Sequence, residues 1–212
     1  MNHIKATTNQ PSSIIFAIIL CLFINTTSYS QAFDDGANVV SLGFGFPTSK
    51  RINDKFNFYK NFYDYKLSNY GTGIFKYEHG LHKYFGLGLN LEYSASRLTY
   101  KYGDVATPKD YKYNVEIQNK IVGAFIRFNG HIPIKDKLDI YGGIGLGYLY
   151  RIESFVDTNP LIVADINRTT KILDFDYQLT LGIRYMIKDH IGLFAEIGRA
   201  TTLFQLGLAF KF

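Results

Sequence analysis

Four of the five histidines in this 212-residue chain, His79, His82, His131 and His190, are its best candidates for proton transfer or metal ligation. Their spacing supports neither chemistry. No pair stands at the i,i+2 or i,i+4 interval that sets two imidazoles on one face of a strand or helix. The run Gly142-Gly143-Ile144-Gly145-Leu146-Gly147 superficially resembles a phosphate loop. It lacks the following helix and a suitably placed Lys, so its glycines read as the small face of a strand. Asn167-Arg168-Thr169 fits a glycosylation sequon but carries little weight. Asp174 and Asp176 could share a cation with neighbouring phosphates, although a solvated rim is the plainer reading. No cofactor site, metal site or enzymatic activity is expected.

The elements that would position these residues are read from alternation. From Ala37 onward large apolar residues alternate with small or polar ones, the period of a strand whose faces meet different surroundings. In the first strand Val40, Leu42, Phe44 and Phe46 oppose Ser41, Gly43 and Gly45. The second is expected near Tyr70–Gly80, with Lys76 and Glu78 on the polar face, and the third near Phe85–Tyr100. The fourth spans Asn114–His131, the fifth Leu138–Ile152 and the sixth Lys171–Ile187. His190–Gly198 and Leu203–Phe212 complete the set. The joins Leu81–Tyr84, Ile132–Lys137 and Lys188–His190 are short and polar. Thr48–Asn69, Lys101–Tyr113 and Glu153–Thr170 are long. Arg199–Thr202 is short and departs from that trend. The pattern predicts an all-β fold, an eight-stranded antiparallel up-and-down transmembrane β-barrel.

Residues 1–30 read as a cleaved signal peptide. His3 and Lys5 precede the apolar run Ile14–Ile24, and Ser28 and Ser30 set a cut before Gln31. The run is too short for a spanning helix, which needs about 20 residues. Cys21 is the only cysteine and lies within it, and Leu20 before it does not suit a lipoprotein signal. Residues 31–212 are then a barrel domain with neither disulfide nor thiol chemistry. The net charge of +5 is spread among alternating signs, and no zinc spacing or nucleic-acid-binding motif is present, so nucleic acid is not an expected partner.

Two features point to a membrane barrel rather than a soluble one. Glycines fill the small face, as the crowded interior of eight strands requires. Charges also recur on that face at Glu78, Glu92, Arg127, Arg184 and Glu196. A charge turned to lipid costs up to about 2–4 kcal/mol, so these five are expected to point inward and pair. Strands three to six are longer than the ~9–11 residues a crossing needs, which predicts a protruding sheet. In the first outer loop Lys50, Arg51, Lys55, Lys60 and Lys66 stand among Phe58, Tyr59 and Tyr63, a set suited to lipopolysaccharide phosphates or a surface partner.

The chain ends Gln205-Leu206-Gly207-Leu208-Ala209-Phe210-Lys211-Phe212. A polar residue, a glycine two later, and alternating aromatics closing on Phe resemble the C-terminal assembly signal of outer-membrane barrels. With the strand pattern, it makes residues 37–212 similar to small eight-stranded barrels of the OmpX/OmpA type, a porin-like family. The resemblance implies location in the outer membrane of a Gram-negative envelope. It also implies recognition through Gln205, Gly207, Phe210 and Phe212 by the barrel-assembly machinery. The chain stops at the last strand, so no peptidoglycan-binding domain is expected, and a monomer is. The expected role is non-enzymatic, envelope-structural or surface contact, with the lumen filled by side chains. A small-solute channel is the first alternative. A lipid A-modifying enzyme is the second, although the histidines fall at the wrong end for outer-leaflet lipid.

Overall fold

The computed structural model describes residues 32–46, 57–103, 111–160 and 168–212. The leader, its cut before Gln31 and Cys21 lie outside the described residues, as do Lys50, Arg51 and Lys55. Eight strands follow in order: β1 Asn38–Phe46, β2 Tyr63–His82, β3 Phe85–Tyr102, β4 Tyr113–Lys135, β5 Leu138–Asp157, β6 Arg168–Lys188, β7 Ile191–Arg199 and β8 Phe204–Lys211. Each pairs antiparallel with the next, and β8 returns to pair with β1, so the sheet closes into a barrel without edges at membrane depth. No described helix is long and apolar enough to cross a membrane; a barrel crosses with its strands.

Alternation places the side chains. Outward positions carry the exposed apolar residues, such as Leu87, Leu89 and Leu91 on β3 and Leu179, Leu181 and Ile183 on β6. Inward positions carry Gly86, Gly88, Asn90 and Glu92 on β3, and Gln178, Thr180 and Arg184 on β6, all buried. The usual hydrophobic-in order is reversed because the solvent around the barrel is hydrocarbon and its interior is polar.

Several strands run further than the alternation foretold. β2 begins at Tyr63 rather than near Tyr70, and its register shifts between Asn69 and Thr72. Gly71 there has φ +75°, and the extra residue swaps which parity faces inward. The period breaks at that bulge although the strand does not. β4 continues to Lys135 through the expected turn: Ile132 pairs with Ile140 and Pro133 with Asp139, and the register shift falls between Pro133 and Lys135. β5 extends to Asp157 and β6 starts at Arg168. β2 to β6 are therefore 18–23 residues long, against 8–9 for β1, β7 and β8. The long strands continue past their short neighbours at the end opposite both termini.

Candidate functional site

Two polar or aromatic clusters fill the inner side of the sheet at different heights. The lower one lies within the closed ring. Glu196 on β7 accepts from Lys76 Nζ at 2.6 Å, Arg127 Nη1 at 3.0 Å and Tyr141 Oη at 2.9 Å. Arg127 also donates to Thr180 at 2.8 Å and Asn129 at 3.2 Å. Glu78 accepts from Arg184 at 2.8 Å and from Asn129 at 2.5 Å. His131 lies between two carboxylates, with Nε2 2.9 Å from Glu78 and Nδ1 2.9 Å from Asp139. Arg184 Nη1 completes this group at 3.5 Å from Asp139, an ion-pair contact without a hydrogen bond. Five strands thus contribute to one chain of charge-assisted bonds, and side chains at this depth are almost wholly buried. A void among Ser41, Lys76, Arg127, Tyr141 and Glu196 measures about 10 Å³, room for about one water.

Large rings complete the filling. Lys76 lies 4.9 Å from the Phe194 ring and Arg184 5.0 Å from the Tyr141 ring. Tyr141 needs a glycine opposite: a Cβ on Gly182 would stand 2.6 Å from its Cε2. Below them the segment 32–37 turns into the barrel mouth. Phe33, fully buried, stacks on His131 with centroids 3.5 Å apart and planes within 7°. The turn is tied to β2 by Gly36 N–H to Gly80 O at 2.9 Å and Gly80 N–H to Ala37 O at 2.8 Å.

All five charges expected to face inward are buried in the lumen, but among the described residues Glu92 makes no ion pair. Arg127 meets Glu196 and not Glu92. Glu92 lies higher, where Asn90 and Gln178 donate to it at 2.7 and 2.8 Å. His131, to which spacing assigned no chemistry, is a buried member of the network. His79 bonds Asn38 and His190 bonds the Lys211 carbonyl, both near the short turns. Sequence reasoning placed Lys76 on the polar face without counting it in the inward charge set, and missed Asp139 and Phe33. Asp139 shares parity with Tyr141, so extending the alternation by one step would have found it. Phe33 precedes β1 and carried no periodic signal.

The upper cluster lies on the inner side of the protruding strands. Leu98, Tyr100 and Val115 are buried there, with Tyr65, Leu67, Ile117 and Phe155 packed around them. A 3-10 turn, Asn57–Asn61, folds across it. Tyr59 and Phe62 pack on Tyr100 with centroids 5.1 and 4.7 Å apart. Of the first-loop residues expected to make contacts, Tyr59 therefore packs inward. Phe58 and Lys60 are exposed, Tyr63 stacks on Tyr111 at 4.0 Å, and Lys66 pairs with Asp64 at 3.1 Å. Beside them Asp64, Lys101, Asn114, Glu116 and Val156 line an open cavity of about 270 Å³ on the outer side of this sheet. Hydrogen bonds from Lys66 and then Lys101 hold the Asp64 carboxyl below the usual carboxylate range. Asp174 and Asp176 pair with Arg151 at 2.6 Å and Arg199 at 3.4 Å. Among the described residues no group of three His, Cys, Asp or Glu is placed to hold a metal ion.

On β8, Gln205 accepts from Lys76 at 2.7 Å, Gly207 lies opposite Gly43, and Phe210 opposite Val40. Phe212 exchanges both backbone hydrogen bonds with Asn38 at 3.0 Å. The four residues of the expected assembly signal thus lie along the strand that closes the ring.

An apolar outer belt, a polar lumen packed with side chains and eight closed strands define a transmembrane β-barrel. The chain belongs to the family described as the outer membrane protein beta-barrel domain, whose model matches residues 16–212, and its place is the outer membrane. No curated protein sequence matches it. Solved structures similar to it include Ail of Yersinia pestis, at 10% identity and TM-score 0.42 over 84% of this chain and 99% of that one. The N-terminal β-barrel domain of Pseudomonas aeruginosa OprF matches at 11% and 0.41 over 84% and 99%. The outer membrane protein OprG of the same organism matches at 10% and 0.42 over 86% and 99%.

Proposed function

We propose that the protein is a closed, non-enzymatic anchor in the outer membrane that holds the long ends of β2–β6 above the outer leaflet for contact at the cell surface. The observation that carries this reading is the filled lumen. Lys76, Glu78, Arg127, His131, Arg184 and Glu196 occupy it as one bonded network, and Phe33 covers its lower mouth. Eight strands leave an interior only wide enough for side chains, so a solute would have to break several buried ion pairs to pass. The length difference between β2–β6 and the other strands then has a use outside the membrane. These strands run 18–23 residues against the ~9–11 of a crossing, so their outer ends stand above the leaflet. Insertion by the barrel-assembly machinery through the β8 ending belongs to the same reading, as does contact between the exposed Phe58 and Lys60 and a surface partner.

Planar-bilayer recording tests the closed lumen. The folded protein is expected to give no steady conductance steps. Stable steps would overturn the anchor in favour of a channel. In parallel, lipid A recovered from cells with and without the protein is expected to have the same mass, whereas a new acylation state would make the protein an enzyme.

A further inference from the structure

The outward residues of β3–β6 are apolar up to one row, Tyr93, Val122, Tyr150 and Leu173, which the strand register places side by side. Toward the outer end the first charged outward side chain on each strand that has one is a cation. These are Lys66 on β2, Arg97 on β3, Lys120 on β4, Lys171 on β6 and Arg199 on β7. The opposite end mixes the two signs, since its short turns and their flanks carry Lys83, Lys135, Asp136, Lys137, Lys188 and Asp189. A single sign at one edge of the belt marks the face that meets anions.

Three of the five cations are already answered by carboxylates: Lys66 by Asp64 at 3.1 Å, Arg97 by Glu116 at 2.6 Å and Arg199 by Asp176 at 3.4 Å. Lys120 and Lys171 are exposed and have no ion-pair partner among the described residues. Register sets these two in one row. Lys120 is opposite Ile152 and Ile152 opposite Lys171, so their backbones are two strand spacings apart, about 10 Å. Both stand one outward step above the apolar row, where the outward face changes from apolar to charged. The residue between them, Ile152, is uncharged, and Tyr150 below it offers a ring at the same interface.

We infer that Lys120 and Lys171 form a two-point clamp for the phosphate groups of a phosphorylated glycolipid of the outer leaflet, its acyl chains lying against Val122, Tyr150 and Leu173. Lysine suits this task as a point charge on a flexible stem, able to meet phosphates that differ in position. The bonds form where water is partly displaced by lipid, which strengthens them over the same contacts in bulk solution. The clamp rests on the outer-membrane location and is independent of the closed-anchor reading.

Native mass spectrometry of the folded protein in a nonionic detergent, with bisphosphorylated lipid A added, tests the clamp. Wild-type protein is expected to retain one lipid A. Lys120→Gln with Lys171→Gln should weaken retention by about tenfold or more, each single variant by less. Lys120→Arg with Lys171→Arg should keep it, and Lys83→Gln, at the other end, should leave it unchanged. Lipid A stripped of phosphate is expected to show no difference between wild type and the double Gln variant, and millimolar inorganic phosphate should not displace the lipid. Heat-modifiable migration checks that each variant is folded, and the single variants carry the comparison should the double one fail to fold. Undiminished retention by the folded Gln variants, equal binding of the stripped lipid, or displacement by inorganic phosphate would each overturn the clamp.

Discussion

Glu196 is the residue on which the lumen turns, because one carboxylate answers Lys76, Arg127 and Tyr141 together. A buried ion pair adds little net stability when formed, since desolvation opposes the Coulomb gain, but losing one partner strands the other. Glu196→Gln leaves two buried cations facing a neutral amide. It is expected to destabilise the folded barrel by about 3–5 kcal/mol, read as a lower temperature for loss of the compact gel form in detergent. Glu92→Gln should cost about 1 kcal/mol or less, because amides of Asn90 and Gln178 donate to it and a glutamine oxygen still accepts. A double-mutant cycle separates the two carboxylates further. Arg127→Met with Glu196→Gln should show a coupling of about 1–3 kcal/mol, and Arg127→Met with Glu92→Gln much less. Equal couplings would mean that the Arg127–Glu196 contact at 3.0 Å is not the one that matters.

At the scale of elements, the segment 32–37 and β8 close the barrel in different ways. Phe33 fills the mouth beneath His131, so Phe33→Ala should leave a cavity and cost about 3–5 kcal/mol. It should do so without lowering the yield of assembled barrel. Phe212→Ala should do the reverse, lowering the yield in cells while the barrel that does assemble melts nearly as before. Phe212 is only half-buried, and its backbone bonds to Asn38 do not depend on the ring. Pulse labelling followed by heat-modifiability gels measures both, and matching losses for the two variants would contradict the distinction. These elements also show what the sequence discloses. β3, β5 and β6 alternate without interruption through the belt, so period two and a count of apolar faces suffice to find them. The start of β2 was hidden because the Gly71 bulge reverses the parity, and the end of β4 because Pro133 is a turn signal that this strand carries beside a register shift. Which carboxylate meets Arg127 is a matter of height. Strand tilt decides whether Glu92 or Glu196 arrives at its level, and no single-strand pattern contains the tilt.

The whole molecule has two cores that share a sheet but little else. The lower is polar and closed on all sides by eight strands. The upper is an aromatic cluster around Leu98, Tyr100 and Val115, backed by the long strands and the 3-10 turn. Packing in the upper cluster cannot reach the charge network, because Ser94, Ser96 and the Asn90–Glu92–Gln178 group lie between them. Elements with few partners open at lower free energy than a closed core, so the two zones should yield separately. Tyr100→Ala removes the ring on which Tyr59 and Phe62 rest. It is expected to raise hydrogen exchange and protease cleavage across residues 57–67 and 98–117, while exchange in residues 74–80, 123–131 and 178–184 stays at the wild-type level. Glu196→Gln should give the opposite map, and the double variant should add the two effects within about 0.5 kcal/mol, as distant sites do. Faster exchange in residues 123–131 of the Tyr100→Ala protein would show one cooperative unit instead, in which a partner gripping the outer sheet could pull on the network that seals the membrane.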